Sequence, residues 1–158
     1  MCLNVLSLFY THGRGSQLSS TLAWVLTVLV SRAYLDGTRY YKTAEAFLYF
    51  FSRFFGKADK SIREQYRTIF AERLYERIGS LGDSLELAMR VLACASLGIR
   101  DKVDLSRLRE KQGLDGGWED GWFYRYGMSG IYIGNKGLTT AFAMSAIKAA
   151  AELTAGHD

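Results

Sequence analysis

Proline is absent from all 158 residues. A chain free of the residue that breaks helices from within, and whose apolar residues recur at three- and four-residue intervals almost throughout, is constrained to an all-α fold. The spacing predicts seven helices, at about 4–11, 17–33, 43–55, 61–78, 83–98, 104–112 and 137–153, and no strand is required. Their faces differ. In SIREQYRTIFAERLYERI the residues Ile62, Tyr66, Ile69, Phe70, Leu74 and Ile78 make one apolar stripe, leaving Glu64, Arg67, Glu72, Arg73 and Glu76 for water. By contrast, AEAFLYFFSRFF and SLELAMRVLACASLGI are apolar nearly all round, with Glu45 and Arg53 in the first and Glu86 and Arg90 in the second as their only charges. Both are expected to be covered on two sides. The last helix, LTTAFAMSAIKAAAEL, reads as internal in the same way. Alternating one-sided and two-sided helices are what two concentric layers produce. The expected architecture is an α/α toroid, or a partial arc of helical hairpins from one, as a single domain over 1–158.

Composition fits one domain with a substantial core: 49% of residues are apolar. The aromatic load of 9 Phe, 10 Tyr and 3 Trp points to a thick core or a large apolar cavity. A formal charge of +4 is spread through interleaved acids and bases, without the clustered basic stripe that nucleic acid requires, so no nucleic-acid partner is expected. Cys2 and Cys94 lack metal-ligand spacing, which suits a reducing compartment, and a cytoplasmic location is expected. The longest apolar stretch, Leu18 to Val30, is interrupted by Ser19, Ser20 and Thr21. It falls short of the ~20 residues that cross a bilayer. MCLNVLSLFY has no basic start or small-residue cleavage site, so it does not read as a signal peptide.

Turn residues recur at one place in each hairpin: Asp36 and Gly37 in YLDGTRYY, Gly79 to Ser84 in GSLGDS, and Asp115 and Gly116 in GLDGGW. The third of these opens an aromatic stretch, KQGLDGGWEDGWFYRYG, from Lys111 to Gly127. Gln112 ends an outer helix there, and Gly113 is placed to cap it. Gly116 and Gly117 let the backbone fold tightly over Trp118. The indole is expected to cover helix ends while the Gln112 amide satisfies exposed backbone groups, tying adjacent hairpins together.

The pattern of Gln112, three residues, Gly116, one residue, Trp118 resembles the QW motif of the terpenoid cyclase and protein prenyltransferase superfamily, the squalene-hopene cyclase branch in particular, where it links hairpins of an α/α toroid. GLTTAFAMSAIKA resembles the inner helix that follows such a loop. RAYLDGTRYYKTAEAFLYFFSRF, DGWFYRYG and GNKGLTTA are similar to stretches of uncharacterised fungal proteins carrying this toroid. The motif itself covers about Leu108 to Ala149. The resemblance implies a protein that binds an apolar isoprenoid and, as an enzyme, cyclises it by acid-initiated carbocation chemistry. The alternative is a non-catalytic, toroid-derived module that binds a lipid or a protein.

Departures from the family bear on that choice. The DxDD motif with which squalene-hopene-type cyclases protonate their substrate is absent, since DKVD at Asp101 to Asp104 has the wrong spacing. DDxxD, which holds magnesium and diphosphate in class I synthases, is absent too. His12 and His157 lie near the termini, and no Cys joins them near GNKGLTTA, so the zinc of the prenyltransferases is not expected. No cofactor is expected, with magnesium entering only alongside a diphosphate substrate. Where the family's full toroid has six hairpins, this chain offers three and an extra inner helix, starting with Asn4 as a plausible N-cap. An arc of that size would leave apolar faces in water. Its expected completion is a missing N-terminal part of a longer toroid or a homodimer.

Aromatic faces attract carbocations without offering a nucleophile. Phe47, Phe50, Phe51 and Phe54, with Trp122, Tyr124 and Tyr126, either line such a space or are core. Asp36, Asp115, Glu119 and Asp120 are the candidate acids, because a carboxyl kept protonated by apolar neighbours protonates an alkene or epoxide. Asp-Gly turn chemistry explains the same residues. Arg125 and Lys136 near the last helix start are candidates for holding a diphosphate, or are solvated charges. FFSRFFGK is a candidate for peripheral membrane contact, or a buried helix end. Ser129 lies outside a nucleophile-elbow context, GNKG lacks P-loop spacing, and the inner helices are too apolar for a sugar groove.

Overall fold

The computed structural model describes residues 2–155. Seven helices follow in order: α1 (Cys2–Thr11), α2 (Ser19–Ser31) after a 3-10 turn at Gly15–Leu18, α3 (Ala44–Phe55), α4 (Lys60–Tyr75), α5 (Ser84–Ala95), α6 (Lys102–Glu110) and α7 (Lys136–Ala155). Each stands within a few residues of its predicted place, and the chain is mostly helical. Asn4 does not cap the first helix, because α1 already runs from Cys2.

Strands are present after all. Between α6 and α7 the chain forms an antiparallel pair, β1 (Trp122–Arg125) and β2 (Tyr132–Gly134), with Tyr124 opposite Ile133, Arg125 opposite Tyr132, and a bulge between Trp122 and Tyr124. Helical periodicity does not reach this stretch. Its aromatic and β-branched residues favour a pleated surface, and two glycines, Gly127 and Gly130, close its tip.

The odd-numbered helices pack side by side in chain order, α1 on α3, α3 on α5, α5 on α7. Helix α2 packs on α1 and α4, α4 on α3 and α5, and α6 on α5 and α7. Every link from an even to an odd helix carries a glycine in the left-handed region, Gly37, Gly79 and Gly116, where a side chain would strain the turn. Helices α3 and α5 are covered on both sides as expected. Helix α7 departs from expectation: of its residues only Thr139, Ala143 and Ala146 are buried, and Met144 stands out in solvent, because it ends the row and is covered on one side. The core has an N-terminal part centred on Phe51, whose ring packs on Phe47, Phe54, Phe55 and Phe70, and a C-terminal part joining α5, α6, α7 and Trp118.

Of the charges on the apolar helices, Glu45 and Arg90 are buried and paired, while Arg53 is exposed. Glu45 accepts from Arg77 at 2.7 and 2.9 Å and lies 3.3 Å from Arg90. Arg90 in turn donates to Asp104 at 3.0 Å and to the Ser80 carbonyl at 2.8 Å. Asp104 also accepts from the Gly79 amide at 3.0 Å, so one ion cluster fastens α3, α5, α6 and the α4–α5 link. Arg73, expected in water, is buried instead and donates to the carbonyls of Leu29 and Val30 and to Glu76, joining the end of α2 to α4. Helix ends expose unpaired carbonyls, and a guanidinium on the neighbouring helix fits them.

Candidate functional site

A cavity of about 410 Å³ lies between α1, α2, the segment 33–43 and α3. Six aromatic side chains line it: Trp24, Tyr34, Tyr40, Tyr41, Phe47 and Phe50. Phe47 and Phe50 share a face of α3 through their three-residue spacing. The Tyr34 ring stacks on Phe47 at 4.8 Å, almost parallel, and burial pushes its phenol up to about 12. Thr38 shapes the loop: its amide donates to the Tyr41 carbonyl at 2.6 Å and its hydroxyl accepts from the Tyr41 amide at 3.0 Å, which turns both tyrosines toward the cavity wall. Cys2, Leu3 and Asn4 of α1 and Val25 and Val28 of α2 also line it, and among the described residues Arg39 is its one charged residue.

The β-hairpin straps this wall from outside. The Arg125 amide donates to the Tyr40 carbonyl at 2.8 Å, and Arg125 Nε donates to the Arg39 carbonyl at 3.0 Å. Tyr124 stacks on Tyr40 with centroids 5.7 Å apart, while Tyr41 meets Phe123 and Phe50 edge-on at 5.4 Å each. At its base the strap is tied to α5 and α7. The Trp122 amide donates to Asp83 at 3.2 Å, and the Gly121 amide donates to Thr139 at 2.8 Å. Asp83 is at the same time the N-cap of α5 in a reciprocal pair with Glu86, whose carboxyl burial and Asp83 raise. Gly121 lies so close to Leu85 that any side chain there would collide with it.

Upstream, Trp118 is enclosed. Its indole N–H donates to the Leu108 carbonyl of α6 at 2.7 Å, and its amide donates to Thr140 of α7 at 3.1 Å. The Gln112 amide donates to the Gly116 carbonyl at 2.8 Å, inside its own loop, so the ring and not the amide bridges α6 to α7. Gly113 does not cap α6: Lys111 holds that position, and Gly116 adopts the left-handed turn.

The four candidate acids stand apart from the cavity. Asp36, Asp115, Glu119 and Asp120 are all exposed, and none belongs to its lining. Lys136 Nζ lies 2.5 Å from Asp115 and holds that carboxyl below its usual range, helped by the Gly117 amide. Lys136 is thereby engaged, whereas Arg125 meets carbonyls only. Of the aromatic candidates, Phe47 lines the cavity and Tyr124 backs its wall, while Phe51 lies fully inside the core and Trp122 and Tyr126 project from the hairpin. FFSRFFGK is a buried helix end: Phe51, Phe54 and Phe55 are core.

Asp101 and Asp104 of DKVD are structural. Asp101 caps α6 through the Asp104 amide, and burial raises its carboxyl to about 6. Trp24, Tyr34, Tyr40 and Tyr41 were not singled out from sequence, although RAYLDGTRYY carries three of them next to a turn. Among the described residues no three His, Cys, Asp or Glu side chains come together as metal ligands, and His157 lies outside those residues.

No family model matches the chain, and no solved structure is significantly similar to it. A drimenol cyclase of Aspergillus calidoustus is 45% identical over 148 residues, which are 93% of this chain and 28% of that relative. The chain thus spans less than a third of the length of this curated relative. Across nearly all of its own length the chain is terpenoid-cyclase-like in sequence.

Proposed function

We propose that this chain contributes an isoprenoid-binding arc of an α/α toroid, of the squalene-hopene cyclase kind, with Gln112, Gly116 and Trp118 as its QW-type link. The observation that carries the reading is an aromatic cavity of about 410 Å³ in a chain of terpenoid-cyclase-like sequence. Tyr34, Tyr40, Tyr41, Phe47 and Phe50 offer the ring faces that shelter a polyene or a carbocation derived from it. The orderly row of odd-numbered helices and the left-handed glycine at each return link support the toroid. Val5 and Leu8 of α1, exposed at one end of the row, and Met144 of α7, exposed at the other, support its continuation by further hairpins, from a longer chain or a second copy.

Within this reading Asp36 is the best placed acid, since its loop runs into the cavity wall at Thr38. Asp115 is the least suited, because Lys136 favours its ionised form. One observation favours the second reading, a binding module without catalysis: no carboxylate lines the cavity among the described residues.

Mass spectrometry distinguishes the two after incubation with farnesyl diphosphate, geranylgeranyl diphosphate, squalene and oxidosqualene, with and without magnesium. A cyclised product supports catalysis, and its loss in Asp36→Asn identifies the acid. Isoprenoid retained unchanged by the protein supports the binding module. Failure of every isoprenoid to bind overturns both.

A further inference from the structure

Between Tyr126 and Asn135 the chain carries no charge and no proline. That stretch holds β2, and β2 is an edge: among the described residues nothing pairs with the side of it turned away from β1. The register fixes which groups stand there. The Tyr126 amide donates inward to the Ile131 carbonyl at 2.9 Å, and Tyr124 with Ile133 is the next inward-facing pair along the ladder. Arg125 and Tyr132 lie between those pairs, so their backbone groups turn outward, on opposite sides of the hairpin. On the β1 side the outward amide is used, since it donates to the Tyr40 carbonyl at 2.8 Å. On the β2 side the N–H and C=O of Tyr132 are left for a further strand. Such edges are ordinarily blunted by charge or proline on the strand itself, and β2 has neither.

The two faces of the edge set what an added strand must carry. Tyr132 shares a face with Arg125, its cross-strand partner, and the Lys42 ammonium sits 4.9 Å from the Tyr132 ring. Neither cation is ion-paired among the described residues. Ile131 and Ile133 point to the opposite face and are 57% and 48% exposed. A strand seated here meets cations on one face and isoleucine on the other. Acids alternating with β-branched residues complement both. A second copy does not, because pairing β2 with its twin about Tyr132 would bring two Lys42 ammoniums together.

We propose that β2 takes an extended acidic segment of a partner protein by strand addition, with main-chain bonds to Tyr132 and carboxylates against Lys42 and Arg125. The proposal concerns the surface and stands whether or not the cavity holds an isoprenoid.

The test is fluorescence polarisation of a labelled peptide of about seven residues, alternating Glu and Val, titrated with the full chain. The wild type is expected to bind it, less tightly as salt is added. The same peptide N-methylated throughout keeps its charges but has no donor, and should bind about tenfold more weakly or not at all. Tyr132→Pro and Tyr132→Ala both remove the ring, but only the first removes the outward N–H. The proline variant should therefore bind about fivefold more weakly than the alanine variant, with the same circular dichroism spectrum. Lys42→Glu should weaken binding about fivefold and turn the preference toward a peptide with Lys in place of Glu. Indifference of the wild type to the peptide overturns the proposal. So do equal binding of the N-methylated peptide, equal binding by the proline and alanine variants, and an undiminished preference for acid in Lys42→Glu. Self-association of the full chain that Tyr132→Pro abolishes would assign the edge to a second copy instead and equally overturn it.

Discussion

Trp118 and Trp122 are four residues apart, and their surroundings are opposite. Trp118 is 1% exposed, with its indole N–H bonded to a helix-end carbonyl; Trp122 is 51% exposed and is held only through its backbone. One connector between α6 and α7 therefore does two jobs. Its first part anchors two helices to the core, and its second presents a hairpin on the surface and straps the wall of a cavity. An aromatic-rich loop is accordingly not one feature, and the partner of each ring decides its role.

The largest effect should come from the anchored side. Trp118→Ala opens a void between α6 and α7 and strands the Leu108 carbonyl, so denaturant titration should show a loss of about 3–5 kcal/mol. Arg90→Met should cost a similar or slightly smaller amount, about 3–4 kcal/mol, since it leaves Glu45 and Asp104 buried with fewer partners. If either variant proves as stable as the wild type, the contrast with the hairpin collapses.

On the strap the effect should be smaller and local. Arg125→Ala removes the bond to the Arg39 carbonyl and should cost about 1 kcal/mol. It should also loosen the cavity wall, so that a maleimide labels Cys2, which lines the cavity, several-fold faster. Cys94 provides the internal control: it is enclosed and its thiol is pushed up by burial. Unchanged Cys2 labelling would mean that the strap does not govern access.

A pH series probes the anchored side further. Burial raises Asp101 to about 6, above its ordinary range near 4, so the folded state binds that proton more tightly than the unfolded chain. Its contribution to stability is fully present below about pH 4 and is lost as pH rises through about 6. Asp101→Asn keeps an oxygen to cap α6 and replaces the unpartnered one. It should flatten the fall of Tm between those values, leaving the smaller slope of Glu86, raised in the same sense.

The smallest effects belong to exposed side chains of the connector, one on the hairpin and one in the turn before Trp118. Trp122→Ala should change stability by no more than about 0.5 kcal/mol, and Asp115→Asn should leave Tm unaltered within error.

All seven helices were legible in the sequence because each buries a continuous apolar stripe whose period survives in the chain. Two-sided burial of α3 and α5 was legible for the same reason. The hairpin was not, since its aromatic run has no helical period and its strand pairing is set by glycines and by what it docks against. Arg73 looked like a solvent charge because the carbonyls that receive it belong to α2, more than 40 residues away in the chain. Glu45 and Arg90 stood out as lone charges on apolar helices, but their partners Arg77 and Asp104 look like ordinary surface residues in sequence.

For the candidate site, the aromatic content announced a core or a cavity, and the fold separates the two. Phe47 and Phe50 reach the cavity while Phe51, one turn on from Phe47 and stacked on it, fills the core. The sequence by itself determined the helical class, the number and places of the helices, and the need for a tight turn before Trp118, all of which depend on spacing between near neighbours. Only the tertiary structure decided which rings enclose the cavity, which charges are paired, and where the candidate acids stand relative to the aromatic wall. Those depend on contacts between residues distant along the chain, and local periodicity carries no information about them.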